Sequence, residues 1–337
     1  MTTAKTREIQ LVSRPVGEPR PEDFSLVETE TPALAPGQIL VRNTWMSVDP
    51  YMRGRMDEGT SLILPAFELG APLNGAAVGD VIESRADGVP IGATVVHFLG
   101  WREHAVLDAA EATVIDTSLA PAPTYLGPLG TTGLTAYAAL TDITPVREGD
   151  VVFVSAAAGA VGSVAGQLAR KLGAAKVIGS AGGTDKARHL VDAFGYDIGL
   201  DYRAEPLAEQ LAKAAPDGID LYVDNVGGDH LEAALEALRP GGRAVLIGAI
   251  SGYNATDPIP GPANLFRIVE RRLTLRGIQV SEYLGLFPEF IGRAAGWLAD
   301  GSLRAEETVV DGIEQAPAAL IGVLRGANTG KMLVRLD

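Results

Sequence analysis

The sequence predicts an α/β protein in two parts: a β-rich domain built from both ends of the chain and, between them, a doubly wound domain on a parallel sheet. Three observations carry this. From residue 151 to about 280, short apolar runs alternate with helix-period stretches, as repeated strand–helix–strand units do. Residues 1–122 show strand patterns without helices between them, punctuated by Gly and Pro. From about residue 297 the first texture returns. These changes of texture give 1–122 and 297–337 for the β-rich domain and 123–296 for the doubly wound one.

Bulk composition narrows the function classes. The 337 residues are 47% hydrophobic and 21% charged, which is ordinary for a folded protein and argues against disorder. The net charge of −14 disfavours nucleic acid or an anionic membrane as the partner. Cysteine is absent, so disulfides, thiolate nucleophiles and Cys-ligated zinc are excluded. Thr2 to Pro21 lacks a leader-like apolar core, and no apolar run reaches the ~20 residues that span a bilayer. The expectation is a soluble cytoplasmic protein.

Taken in order, Glu8–Val12 and Phe24–Glu28 alternate apolar and polar, as half-buried strands do. Gln38–Asn43, started by Pro36-Gly37, Ala77–Ser84 and Thr94–Phe98 continue the pattern. Between them, Trp45–Met56 mixes apolar, aromatic and charged residues; Tyr51 and Met52 are either core residues of a connecting loop or the lining of an apolar pocket. Leu129–Leu140 reads as a small-residue turn leading into a helix. Strands follow at Val151–Val154, Lys176–Ser180, Ile198–Asp201, Ile219–Asp224, Arg243–Gly248 and Leu273–Val280. Helices fill the gaps at Val161–Leu172, Asp185–Phe194, Leu207–Ala215 and His230–Leu238, the last ended by Pro240-Gly241-Gly242. In the tail, Thr308–Val310 and Lys331–Leu336 read as strands and Ala316–Leu324 as a helix.

The first strand of the doubly wound part feeds the turn Ser155-Ala156-Ala157-Ala158-Gly159 and then a helix. Against the dinucleotide fingerprint G-x-G-x-x-G, Ala157 takes the first place and Gly159 and Gly162 the other two. Gly159 would let the backbone approach a pyrophosphate at the helix start, and Gly162 would let the helix pack close to the strand. Dinucleotide binding follows. An NAD site would place Asp or Glu at the end of the second strand; here that place reads Gly179–Lys186, with no carboxylate at the strand end. Lys186 offers a counter-charge for a 2′-phosphate, so NADPH is expected over NADH. No His carries metal-ligand spacing, and no metal site is expected. A redox cofactor with a few hydroxyls suits a substrate that is already activated, such as a C=C bond conjugated to a carbonyl.

Six stretches carry a resemblance: Asp49–Met56 (DPYMRGRM), Gly133–Tyr137, Ala156–Ser163, Asp224–Gly228 (DNVGG), Gly248–Asn254 and Gly326–Lys331. In this order the chain resembles the zinc-independent medium-chain dehydrogenase/reductases of the leukotriene B4 12-hydroxydehydrogenase/prostaglandin reductase group, which includes plant double-bond reductases and bacterial curcumin reductase. The resemblance covers nearly the whole chain. It implies a GroES-like catalytic domain, a Rossmann domain, and NADPH-dependent reduction of α,β-unsaturated ketones or aldehydes, with a homodimer formed through the sheet edge near Leu273–Val280.

It also implies roles. Gly159, Ala160, Val161 and Gly162 would take the pyrophosphate; Lys186 and Tyr202 would sit at the 2′-phosphate; Asn225 would meet the cofactor after the fourth strand. Ile247, Gly248, Ala249, Ile250, Ser251 and Tyr253 would run along the nicotinamide side. Ile278, Gln279 and Val280 would offer backbone groups to the carboxamide, and Asn328 would reach the cofactor from the C-terminal part. Tyr51 and Tyr253 would face the substrate. Tyr253 is the leading proton donor, since a phenol keeps its proton at neutral pH; bound water is the alternative. Gly252 before Tyr253, and Gln279 where apolar residues are frequent, depart from the group's pattern. Two other readings stay open: an NADPH:quinone reductase, and a non-catalytic NADPH-binding protein.

Overall fold

Alternating side chains set the first strands. A computed structural model describes residues 4–59 and 64–336. β1 (Lys5–Leu11) and β2 (Phe24–Glu30) pair antiparallel and turn Ile9 and Leu11 into the core. β3 (Gln38–Ser47) pairs antiparallel with β4 (Ala77–Ser84), with register shifts at Leu40/Val41 and Asn43/Trp45. β5 (Thr94–His97) lies beside β4, β6 (His104–Asp108) pairs with β3, and the short β7 (Thr113–Val114) edges β5.

Beyond Gly127 the pattern changes. α1 (Thr131–Ala138) precedes β8 (Val151–Val154), a fully apolar strand of the kind buried on both faces. Then come α2 (Ala160–Lys171), β9 (Lys176–Ala181), α3 (Thr184–Asp192), β10 (Ile198–Asp201), α4 (Leu207–Ala214), β11 (Ile219–Asp224), α5 (Gly228–Ala237) and β12 (Leu238–Leu246). α6 (Arg267–Arg271), β13 (Thr274–Gly277) and α7 (Phe287–Ala299) complete this part. The six strands pair in parallel in the order β10-β9-β8-β11-β12-β13, a doubly wound sheet. The chain then returns with β14 (Glu307–Asp311), α8 (Ala316–Leu324) and β15 (Lys331–Arg335). β1 and β2 form a two-stranded sheet of their own; β15 pairs with β3 and β14 with β15, so the tail extends the sheet of β3 to β7.

Two compact units result: residues up to Leu126 together with those from Glu307 on, and Gly127–Glu306. The first is cored by Met46, Met52, Met56, Trp101, Leu320 and Met332. The second is cored around Phe153 and Tyr222, stacked at 5.1 Å, with Leu211 and Leu235. Among the described residues, no helix is long and apolar enough to cross a membrane.

Two expected elements need correction. The sixth strand, read over Leu273–Val280, is only Thr274–Gly277; Ile278 still donates to Leu246 O, and a 3-10 helix over Val280–Leu286 takes the chain away from the sheet. The fifth strand begins at Leu238 rather than Arg243. Pro240-Gly241-Gly242 does not separate helix from strand: it lies in an irregularity within β12, between the Ile219–Leu238 and Leu221–Arg243 pairs, where extra residues need no ladder partner. β6, β7, α6 and α7 were not foreseen.

Candidate active site

In the second unit, β8 ends in a turn at the centre of the sheet, where the strand order reverses. Ala156 takes a left-handed φ of 46°, Ala157 N–H donates to Ser180 O at 2.9 Å, and Gly159 caps α2 in extended conformation. α2 starts at Ala160, so Ala160, Val161 and Gly162 form its first turn, whose N–H groups lack helical partners and favour an anion. The Tyr196 hydroxyl, fully buried, donates to Gly162 O at 2.7 Å and holds this turn from below.

The loop after β11 is tied to the same turn. Asn225 N–H donates to Ser155 Oγ at 2.9 Å, and the Asn225 amide to Ser155 O at 2.8 Å. Behind them, the buried Asp224 Oδ1 accepts from Tyr222 Oη at 2.7 Å, from Val226 N and Gly227 N at 2.9 Å each, and from Ser155 Oγ at 3.2 Å. This carboxylate pushes the already buried Tyr222 phenol further up, after desolvation. Ile247 N and Gly248 N donate to Asp224 O, Ile250 N to Asn225 O and Ser251 Oγ to Val226 O, so the loop after β12 folds onto the loop after β11. Tyr253 follows the short turn Ile250–Gly252 and its hydroxyl accepts from Ala249 N at 3.3 Å. That bond uses the phenol oxygen and leaves its proton to donate elsewhere. Ala249 through Tyr253, Asn225 and the fingerprint turn are thereby gathered at the carboxyl ends of the central strands. Ile278, Gln279 and Val280 follow the end of β13 and are half-buried.

At the outer end, Tyr202 follows β10, and its N–H donates to Ala181 O at 3.3 Å. Its ring packs edge-on against His230, centroids 5.0 Å apart. Lys186 lies in the first turn of α3; burial, and then the charge of Arg203, push its ammonium below the ordinary lysine range. Sequence reasoning missed Arg203, and missed the Asp224–Ser155 linkage. The DNVGG run was the one signal that could have prompted the latter.

In the first unit, Tyr51 sits in the 3-10 turn Pro50–Arg53. Burial, then the negative charge of Asp49, push its phenol up, against a small opposing pull from Arg55. A Cβ at Gly75 would lie 3.7 Å from the Tyr51 hydroxyl and 3.6 Å from Trp101 Nε1. The turn is anchored by Lys331, whose buried Nζ donates to Asp49 Oδ1 at 2.8 Å and Val48 O at 2.9 Å; the Ser47 hydroxyl donates to the other Asp49 oxygen. Met52, left open between core and pocket, is in the core with no exposed surface. The Asn328 amide donates to Gly330 O at 2.7 Å, closing the turn into β15.

A doubly wound unit with a fingerprint turn, and a β-rich unit made from both chain ends, define a nucleotide-dependent oxidoreductase class. Residues 7–115 match the family described as the N-terminal domain of oxidoreductase, and residues 160–296 the one described as zinc-binding dehydrogenase. The chain is 38% identical to prostaglandin reductase 1 of Mus musculus over 95% of each protein. It is 34% identical to the NADP(+)-dependent 2-alkenal reductase of Nicotiana tabacum, covering 98% of this chain and 97% of that protein. The crystal structure of CurA from Vibrio vulnificus in complex with NADPH superposes with a TM-score of 0.93 at 38% identity, covering 98% and 99% of the two chains. The chain belongs to the medium-chain dehydrogenase/reductases, in the group of the prostaglandin and alkenal reductases, with a GroES-like and a Rossmann domain. Despite the family description, the sequence has no Cys, and among the described residues no three His, Asp or Glu side chains gather as a metal-holding group.

Proposed function

We propose that this protein is an NADPH-dependent reductase of the C=C bond of α,β-unsaturated ketones and aldehydes, with Gly127–Glu306 as its cofactor-binding domain and the β-rich unit as its catalytic domain. The observation that supports it most is the linked set of loops at the strand ends: the fingerprint turn, Asn225 and the Ala249–Tyr253 loop. The residues fit the cofactor. The first turn of α2 offers free N–H groups to a pyrophosphate, and Lys186 and Arg203, whose charges oppose each other, would supply the counter-charge a 2′-phosphate needs, with Tyr202 beside Arg203. Ile247 to Ser251 and Ile278 to Val280 would carry the nicotinamide end.

NADPH, when bound, supplies a hydride to the β-carbon of the substrate. The residues' own part is to hold and move a proton. Negative charge develops on the substrate carbonyl oxygen, and a donor aimed there lowers the barrier. The Tyr253 hydroxyl, whose oxygen accepts from Ala249 N–H, would donate a hydrogen bond to that oxygen, and a proton taken up from solvent then adds to the α-carbon, so that one hydride and one proton saturate the bond. In the β-rich unit, burial keeps the Tyr51 phenol protonated.

The test is NADPH depletion across enones, enals and quinones with product identification, in wild type and Tyr253→Phe. Reduction of enones and enals to saturated carbonyls, with turnover lowered ~10²–10³-fold in the variant, is expected. Full turnover in Tyr253→Phe removes the donor role, and a preference for quinones removes the substrate class. We also propose a homodimer through the edge strand β13. That strand has one free side in its sheet, and Phe266 and Val269 just before it are exposed. Light scattering on the purified protein decides this.

A further inference from the structure

The loop after β9 gathers more positive charge than a single lysine. A Cβ placed on Gly182 would meet the Tyr202 hydroxyl at 2.7 Å, Arg203 Nε at 2.9 Å and Arg203 Cζ at 3.1 Å. A phenol oxygen and a guanidinium therefore lie against one bare backbone position, directly after the strand end that lacks a carboxylate. Lys186 is near enough for the charge of Arg203 to disfavour its own, after burial. Two cations that oppose each other are costly to hold together, and such clusters mark anion sites.

The guanidinium is also oriented. It lies 5.7 Å from the centroid of the Tyr202 ring, which is braced by His230. Arg203 N–H donates to Asp201 Oδ1 at 3.0 Å, which fixes the backbone that carries the side chain. Asp201 is the acid beside this cluster, and its oxygens are engaged: Oδ1 also accepts from Gly183 N at 2.8 Å, and Oδ2 from the Thr184 hydroxyl at 3.0 Å. Burial pushes Asp201 up, but these donors and the Arg203 charge bring it below the usual carboxylate range, so it stays ionised and tied to the loop.

We propose that Arg203 is the main residue by which this chain separates 2′-phosphorylated from unphosphorylated dinucleotide, with Lys186 and the Tyr202 hydroxyl as its companions. The inference rests on the NADPH reading above and names the group that enforces it. Arginine suits the task better than lysine. Its fork can engage two phosphate oxygens at once, whereas the Lys186 ammonium meets them as a single point charge.

The experiment is calorimetric titration of the full-length protein with NADPH, NADH, 2′-AMP and 5′-AMP, in wild type, Arg203→Gln and Arg203→Lys. Arg203 is exposed, so the variants keep the fold, and thermal melts verify this. Arg203→Gln is expected to weaken NADPH and 2′-AMP by about ten- to a hundredfold while leaving NADH and 5′-AMP within about twofold. Arg203→Lys, which keeps the charge and loses the fork, falls between. If wild type prefers NADPH and Arg203→Gln keeps that preference, or weakens NADPH and NADH alike, the role assigned to Arg203 is wrong and the NADPH reading stands. If wild type binds NADH as tightly as NADPH, both fall together.

Discussion

Alanine in place of Gly162 should loosen the cofactor-binding unit, whereas alanine in place of Gly159 should not. At Gly162 a Cβ would lie 2.4 Å from Ala156 O, 2.7 Å from Ala157 Cα and 3.0 Å from Ala156 C. All three are backbone atoms, and the turn holding them is pinned by Ala157 N–H on Ser180 O and Gly159 N–H on Ala156 O, both 2.9 Å. No rotamer relieves the clash, so α2 must shift against β8. Overpacking of this kind costs about 1–3 kcal/mol, and three backbone contacts place it at the upper end. Alanine returns about 1 kcal/mol of helix propensity, which leaves a net loss of about 2 kcal/mol. For a unit of this size that is a fall in Tm of roughly 4–8 °C. At Gly159 a Cβ would meet only Ala156 O, at 3.2 Å, and φ is −85°, open to any residue. Gly159→Ala should melt like wild type but bind NADPH at least ~10-fold more weakly, because the methyl stands where the backbone would approach the pyrophosphate. Calorimetric melts and NADPH titrations of both variants separate the two effects. Equal melting of Gly162→Ala and wild type, or an equal loss of Tm in both variants, would refute the reasoning.

Two further predictions concern the β-rich unit. His97 is buried, with Nε2 2.8 Å from Asn43 Oδ1 and Nδ1 accepting from Leu99 N at 3.1 Å; burial, then the charge of Arg102, bring it down to about 4. Its unfolded value is near 6.5, so its stabilisation is complete above that pH and is lost as pH falls towards and through about 4, to a total of about 3 kcal/mol. Denaturant titrations at pH 7.5 and 4.5 should show wild type losing more stability than His97→Gln; equal losses in both would contradict this. Lys331→Met strands the buried Asp49 charge and should cost about 3–5 kcal/mol, most of it recovered by adding Asp49→Asn. A double variant no more stable than the single one would show that the ion pair is not the cause.

Much of the scaffold could be read locally. Val151–Val154, Ile198–Asp201, Ile219–Asp224 and Ala77–Ser84 occupy the residues expected of them, because a buried strand is an uninterrupted or alternating apolar run that no tertiary contact needs to rescue. Ala316–Leu324 is likewise the helix read from its pattern. β13 was overestimated because an apolar stretch does not reveal where the chain leaves a sheet edge. β12 was underestimated because Pro-Gly-Gly reads as a stop unless a bulge absorbs it.

The sequence alone determined the class of fold, which is written in repeated local apolar patterns along the chain, and the fingerprint turn before α2 and the want of a carboxylate where NAD would need one, each of which lies within a dozen neighbouring residues. Only the tertiary structure decided that Asp224 and Ser155 tie Asn225 to that turn, and that Arg203 stands against Gly182 beside Lys186. These contacts join loops at the ends of different strands. Strand order brings such loops together, and nothing in the local pattern of residues encodes the distance between them.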